Sequence, residues 1–167
     1  MTKKKIKKPD IYKLTSFKMI KKLNHSNTDI AKSIRSVFQV SYAVEAKLLN
    51  ATDFPPLKRP LEAYVNSETV FYGFFIEDEL AAVVEINHES KATHIQSLVV
   101  DPKFFRLGIA AKLIEFVFKT YNSKVFTVET GLANAPACKL YKKLGFFEVK
   151  QYDTNHNIRK ICFERIM

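Results

Sequence analysis

The stretch Val99-Val100-Asp101-Pro102-Lys103-Phe104-Phe105-Arg106-Leu107-Gly108-Ile109-Ala110 decides the fold. It leads from the apolar end of a strand, through a short basic loop, into the start of a helix. Asp101-Pro102 ends the strand, because proline has no amide to give to a ladder. Gly108 opens a helix predicted over Gly108–Tyr121: Ile109, Leu113, Phe116 and Val117 share one face, and Lys112, Glu115 and Lys119 the other. The first turn of a helix leaves amides unpaired and carries the positive end of its dipole, so it receives phosphate readily. Gly108 and Ala110 leave that backbone approachable, and Lys103 and Arg106 add positive charge. The same residues would also serve a plain strand–loop–helix connection with a small residue for packing. No Gly-Lys-Ser/Thr follows, so this is not a Walker loop, and no G-x-G-x-x-G marks a dinucleotide turn.

Outward from this stretch the pattern alternates between strand and helix. Upstream, Phe17–Leu23 reads as a strand. Asn27, Thr28 and Asp29 offer helix-capping chemistry before Ile30, Ile34, Val37 and Phe38 at helical spacing. The helical pattern changes phase through Tyr42–Leu49. Phe54-Pro55-Pro56-Leu57 is a rigid break, and Arg59–Val65 a short helix with Pro60 in its first turn. Thr69–Glu77 and Leu80–His88 form strands joined at Asp78-Glu79, followed by a strand over Thr93–Val100. Downstream come a strand at Lys124–Thr130, a helix at Ala135–Leu144 closed by Gly145, and paired strands at Phe146–Tyr152 and Arg159–Ile166. The sum is a mixed α/β domain.

A chain of 167 residues with 47% apolar content suits one domain with one substantial core. The expected organisation is a basic tail over residues 1–12 and a single domain over 13–167. No apolar run is long enough to span a bilayer, and the Lys-rich start lacks the apolar stretch of a secretory signal, so a cytoplasmic location is expected. Cys138 and Cys162 form neither a disulfide framework nor a zinc spacing, and no metal is expected. Five lysines in Met1–Lys8 carry half of the net charge of +10. That run reads as a solvated arm, with attraction to nucleic acid as the sharper and disfavoured alternative.

A second block follows the helix: Val125-Phe126-Thr127-Val128-Glu129, then Asn134, Ala137, Leu140, Tyr141, Lys143, Gly145 and Phe146. It is similar to the N-x-x-A-x-x-L-Y-x-K-x-G-F signature of the GNAT superfamily of N-acetyltransferases, and every named position fits. The first stretch resembles the same family's V-x-P-x-x-[QR]-x-x-G-x-[GA] motif through Val100, Pro102, Gly108 and Ala110. Phe105 stands where Gln or Arg is usual, with Arg106 one place later. Together the resemblance covers Thr69–Met167; the front third matches only in its element order.

The resemblance implies a GNAT-type α/β (α+β) fold: a mostly antiparallel sheet splayed between its fourth and fifth strands, flanked by about four helices. It implies acetyl-CoA as co-substrate, its pantetheine arm lying in the splay beside Leu98, Val99 and Val100. The pyrophosphate would rest on Phe105, Arg106, Leu107, Gly108, Ile109 and Ala110, with Asn134, Ala137, Tyr141 and Lys143 completing the site. An amide near Val99 would face the developing oxyanion. Tyr141 would be the general acid for the leaving thiolate, and Asn134 would cap its helix and hold the cofactor. His94 stands where some members place a glutamate working through water. It and Glu129 are the candidate catalytic partners, though many members manage with ordered water. Tyr42, Glu45, Phe54 and Glu85 are candidate acceptor contacts, with Tyr64 near them by position. The implied activity is acetyl transfer to a primary amine of a small molecule or protein, by a monomer or homodimer. A degenerate acyl-CoA-binding sensor is the alternative that Phe105 leaves open.

Overall fold

A computed structural model of the chain describes residues 17–167; the predicted tail and the start of the domain lie outside them. Seven strands form one sheet: β1 (Lys18–Leu23), β2 (Val70–Ile76), β3 (Glu79–Glu89), β4 (Ala92–Val100), β5 (Val125–Gly131), β6 (Phe147–Asp153) and β7 (Arg159–Ile166). Their order is β1-β2-β3-β4-β5-β7-β6. All neighbours are antiparallel except β4 and β5, which run parallel because helix α3 (Ile109–Thr120) crosses between them. The remaining helices are α1 (Thr28–Leu48), α2 (Leu61–Val65) and α4 (Ala135–Lys143). No helix among the described residues is long and apolar enough to cross a membrane.

Helix α1 begins where the sequence places it: Asn27 Oδ1 accepts from the amides of Asp29 (3.0 Å) and Ile30 (3.1 Å). Ala31, Ile34, Val37 and Phe38 are buried against Tyr64, Phe71, Val83 and Val99 on one face of the sheet. The phase change at Tyr42–Leu49 marks no break, since α1 is a single helix of 21 residues. Its stripe turns polar at Glu45 because there the helix leaves the core and walls a cleft. On the opposite face, Ile109, Leu113, Ile114 and Val117 of α3 fill the main core with Phe74, Val84, Ile86, Ile95 and Phe126.

The site is positioned by the parting of β4 and β5. They pair at only four positions, from Ala92↔Val125 to Ile95↔Val128. At that point the β3–β4 register slips: Ile86 faces Ile95 and Glu85 faces Ser97, so Gln96 bulges. A bulge bends its strand, and β4 swings away from β5. Meanwhile β5 stays on β7 as far as Gly131↔Lys160. The splay expected between the fourth and fifth strands is therefore present.

Glu85, expected among the acceptor contacts, instead holds this bulge. It is 1% exposed, and its carboxylate accepts from Arg59 Nη1 (2.8 Å) and Nη2 (3.0 Å), Thr69 Oγ1 (2.7 Å) and Ser97 Oγ (2.9 Å). Its four donors leave it no free capacity for a substrate. Tyr64 likewise belongs to the core, under the Arg59 guanidinium at 4.1 Å from its ring centroid.

Removing one partner of a buried ion pair leaves an uncompensated charge. Glu85→Ala is expected to destabilise the fold by about 3 kcal/mol. Urea unfolding followed by circular dichroism measures this; a loss below about 1 kcal/mol, the surface-pair range, would show that Glu85 is dispensable.

Candidate active site

Two cavities open where β4 and β5 part. The larger, about 640 Å³, lies between the end of β4, the start of α3 and one face of α4. The smaller, about 340 Å³, lies between α1, the Phe54–Arg59 segment and the β5–β7 half of the sheet. Glu45, Leu98, Asn134, Ala137 and Tyr141 wall both.

The larger cavity receives the start of α3. Gly108 is its N-cap at φ 72, and no side chain caps it among the described residues. The first helical bond runs from Lys112 N to Gly108 O at 3.2 Å, so the amides of Ile109, Ala110 and Ala111 precede the ladder. A Cβ placed on Gly108 meets nothing within 4 Å, so the turn stands in open space and its glycine answers to the left-handed φ. Arg106, itself at φ 63, and Lys143 line the same cavity. Lys103 does not: its ammonium is paired with Glu79. Phe105 supplies an exposed apolar wall, and Leu107 packs on the main core instead of the cavity.

Strand β4 presents alternate amides to the gap. Asp101 N donates to Ala81 O at 2.9 Å, which by alternation turns the amide of Val99 toward β3 as well. Val100 N points the other way, donating to Ser41 Oγ at 3.3 Å, and Leu98 shares its side. The expected contact at Val99 is thereby corrected: its amide faces β3 and its side chain is core, so the gap-facing amides are those of Leu98 and Val100.

Tyr141 is fixed from below by the end of α4. Phe146 N donates to Tyr141 O (3.0 Å) and Gly145 N to Lys142 O (3.1 Å), with Gly145 at φ 87. This is the Schellman arrangement that a C′ glycine permits. The Tyr141 ring packs on Phe146 and Phe163, each 5.7 Å away between centroids. Burial, then the charges of Glu45 and Tyr42, push its phenol well above the ordinary tyrosine range, so it carries its proton at neutral pH. Asn134 caps α4 through Ala137 N at 3.3 Å and sends its Nδ2 to Thr130 Oγ1 at 3.4 Å.

The smaller cavity collects Tyr42, Glu45, Phe54, His94 and Glu129 as the sequence expects, and adds Arg59, Thr130 and Lys160. Burial pushes the pKa of Glu129 up, but hydrogen bonds from Tyr152 (2.8 Å) and Cys162 (3.4 Å), with the Lys160 charge at 3.8 Å, outweigh it and hold it below the usual range. Burial also lowers the pKa of His94, whose Nδ1 meets Thr127 Oγ1 at 2.7 Å. The cavity's rim is tied across the chain: Asp53 pairs with Lys58 and with His156 (2.8 Å), while Ile158 packs with Phe54 and Ala46. Lys160 and Ser41 carry no local signature, since register between distant elements places them. The Gln96 bulge does leave a trace, because consecutive polar Gln96 and Ser97 break the alternation of β4.

Residues 33–146 match the model of the acetyltransferase (GNAT) family. Streptothricin acetyltransferase from Escherichia coli is 31% identical over 119 residues, covering 68% of each chain. The UPF0157 protein YqkA of Bacillus subtilis is 30% identical over 129 residues; the match covers 77% of this chain and 38% of that protein's length. Among solved structures, the PaiA N-acetyltransferase of Thermoplasma acidophilum in complex with coenzyme A superposes with a TM-score of 0.70 at 17% identity, covering 90% of this chain and 99% of that one. The chain belongs to the GNAT acetyltransferase family. Membership carries with it the transferase class and acetyl-CoA as the family's co-substrate, as the two motifs imply.

Folding lowers the pKa of His94, so the unfolded chain takes up this proton first as pH falls. His94 therefore withdraws stability as pH drops below about 6.5, the ordinary histidine value. Proton NMR titration should place the His94 midpoint below that value; a midpoint at or above it would contradict the burial of the ring.

Proposed function

We propose that this chain transfers an acetyl group from acetyl-CoA to a primary amine of a small molecule. The observation that carries the reading is the continuity from the uncapped start of α3 to the phenol of Tyr141 through one cavity. Bound there, acetyl-CoA supplies an activated acyl group and a thiolate leaving group. The amides of Ile109, Ala110 and Ala111, with Arg106 and Lys143, hold the diphosphate by hydrogen bonding and the helix dipole. Leu98 offers a backbone amide to the pantetheine arm, as an added strand would require, and Val100 a second one once the arm displaces its 3.3 Å bond to Ser41 Oγ. Asn134 and Ala137 line its path, and Tyr141 Oη gives its proton to the departing sulfur. Val44, Leu48 and Phe105 shield the arm from water.

The acceptor enters the smaller cavity. Tyr42 and Phe54 wall it, and Glu129 attracts its ammonium group, beside a His94 whose burial favours the neutral ring. A volume of about 340 Å³, lined by Glu45 and Glu129 with Lys160 beside the latter and Arg59 already paired with Glu85, suits a compact amine. The E. coli relative is named for acetylating streptothricin, which supports a small-molecule acceptor. The sensor reading rests on Phe105, an apolar wall where the family motif has a polar side chain. Release of free thiol in the presence of an amine panel decides between the two.

Two substitutions test the scheme. Tyr141→Phe should lower kcat by about 10²–10⁴ while acetyl-CoA affinity, read by calorimetry, stays nearly intact; an undiminished rate removes Tyr141 from proton transfer. Gly108→Val forces a β-branched residue into a left-handed φ at the start of α3 and so disturbs the turn that presents the helix amides. It should weaken acetyl-CoA binding at least tenfold, and full affinity would rule out the phosphate cradle.

A further inference from the structure

We propose that Glu45 is the base that receives a proton from the acceptor's ammonium group. The inference rests on the acetyl-transfer reading above and adds the group that readies the nucleophile.

Four observations converge on this side chain. Glu45 is one of the few residues that wall both cavities, and so stands beside Tyr141 where acceptor and thioester must meet. Its hydrogen bonding is loose: Thr130 Oγ1 lies 3.4 Å from Oε1, and the Asn134 amide is its other side-chain partner. Burial raises its pKa, against the opposing influence of Asn134, Lys160 and Thr130. Glu129, the other carboxylate of the acceptor cavity, has the reverse character, with donors on both oxygens and a lowered pKa. Two carboxylates in one cavity with opposed tendencies divide the work, one staying charged and the other taking protons. Glu129 attracts the cation and Glu45 deprotonates it.

The groups facing Glu45 are Thr130 on β5, Lys160 on β7, Asn134 and Tyr141 at α4, and Tyr42 on its own helix. The last two carry a consequence. The negative charge of Glu45 opposes ionisation of both phenols, and a proton arriving on Glu45 removes that opposition. Tyr141 thus becomes a better acid once the amine has been made nucleophilic.

The protons balance. The ammonium nitrogen gives one to Glu45, which later passes it to solvent. Its lone pair forms the bond to the acetyl carbon as the carbon–sulfur bond breaks. Tyr141 gives its phenolic proton to the sulfur and recovers one from the nitrogen, leaving amide, free thiol and one released proton.

The test compares the full-length protein with Glu45→Gln, which keeps the shape of the side chain. Thiol release with the best amine of a panel should fall by about 10²–10⁴ in kcat, with the Kd for acetyl-CoA unchanged. The acid limb of the wild-type kcat/KM profile should disappear. In the cofactor-free protein, carbon NMR of carboxyl-labelled glutamates should show one resonance, absent from the variant, that titrates above the usual value of about 4.3. A variant within threefold of wild type, a retained acid limb, or a Glu45 resonance in the ordinary range each overturns the assignment while leaving acetyl transfer in place. A wild-type protein that binds acetyl-CoA but releases no thiol with any amine overturns the transferase reading itself, and this assignment with it.

Discussion

The structure depends on the loss of pairing between β4 and β5 beyond Ile95 and Val128. A continuous sheet would satisfy more backbone groups, so the parting must be enforced. The Gln96 bulge bends β4, and the buried Glu85 carboxylate clamps Ser97, Thr69 and Arg59 beside it. The charge of Glu85 is paid for by four donors, and the pairing it replaces is returned to any ligand that can act as a strand. The proposed chemistry is arranged around that opening: the helix dipole of α3 at one end, the phenol of Tyr141 in the middle, and the smaller cavity with Glu45 and Glu129 at the other end.

Much of this was legible in the sequence because it is local. The left-handed turn at Gly108, the helix that follows it, and the glycine stop at Gly145 depend on neighbours within a few residues, and each falls within a residue of its expected place. The cap at Asn27 is local too. The family motifs concentrate where a few neighbouring residues decide the geometry, so they bear on the turn at Gly108 and on α4 and say little about the walls of the smaller cavity.

What escaped the sequence is long-range. Glu45 and Glu85 look alike as isolated carboxylates near aromatic residues. Their fates differ because Glu85 meets four close donor atoms from positions 59, 69 and 97, whereas Glu45 is held only loosely, by Thr130 at 3.4 Å with Asn134 and Lys160 nearby. Lys103, adjacent in sequence to the phosphate turn, is captured by Glu79 across the sheet. Val99 lies among gap-facing residues, but strand alternation turns its amide to the closed side. In each case the register between elements decides, and register is not written in any one of them.

The tie between the Asp53 region and the β6–β7 turn has an evolutionary meaning. The proposed acceptor side is fastened by His156 and Ile158, in a hairpin about fifty residues beyond the Gly108 turn. Variation in that hairpin can reshape which nucleophile is admitted without disturbing the thioester grip. Selection for a new acceptor then has a route in which the shared chemistry is inherited whole and only the doorway is rebuilt.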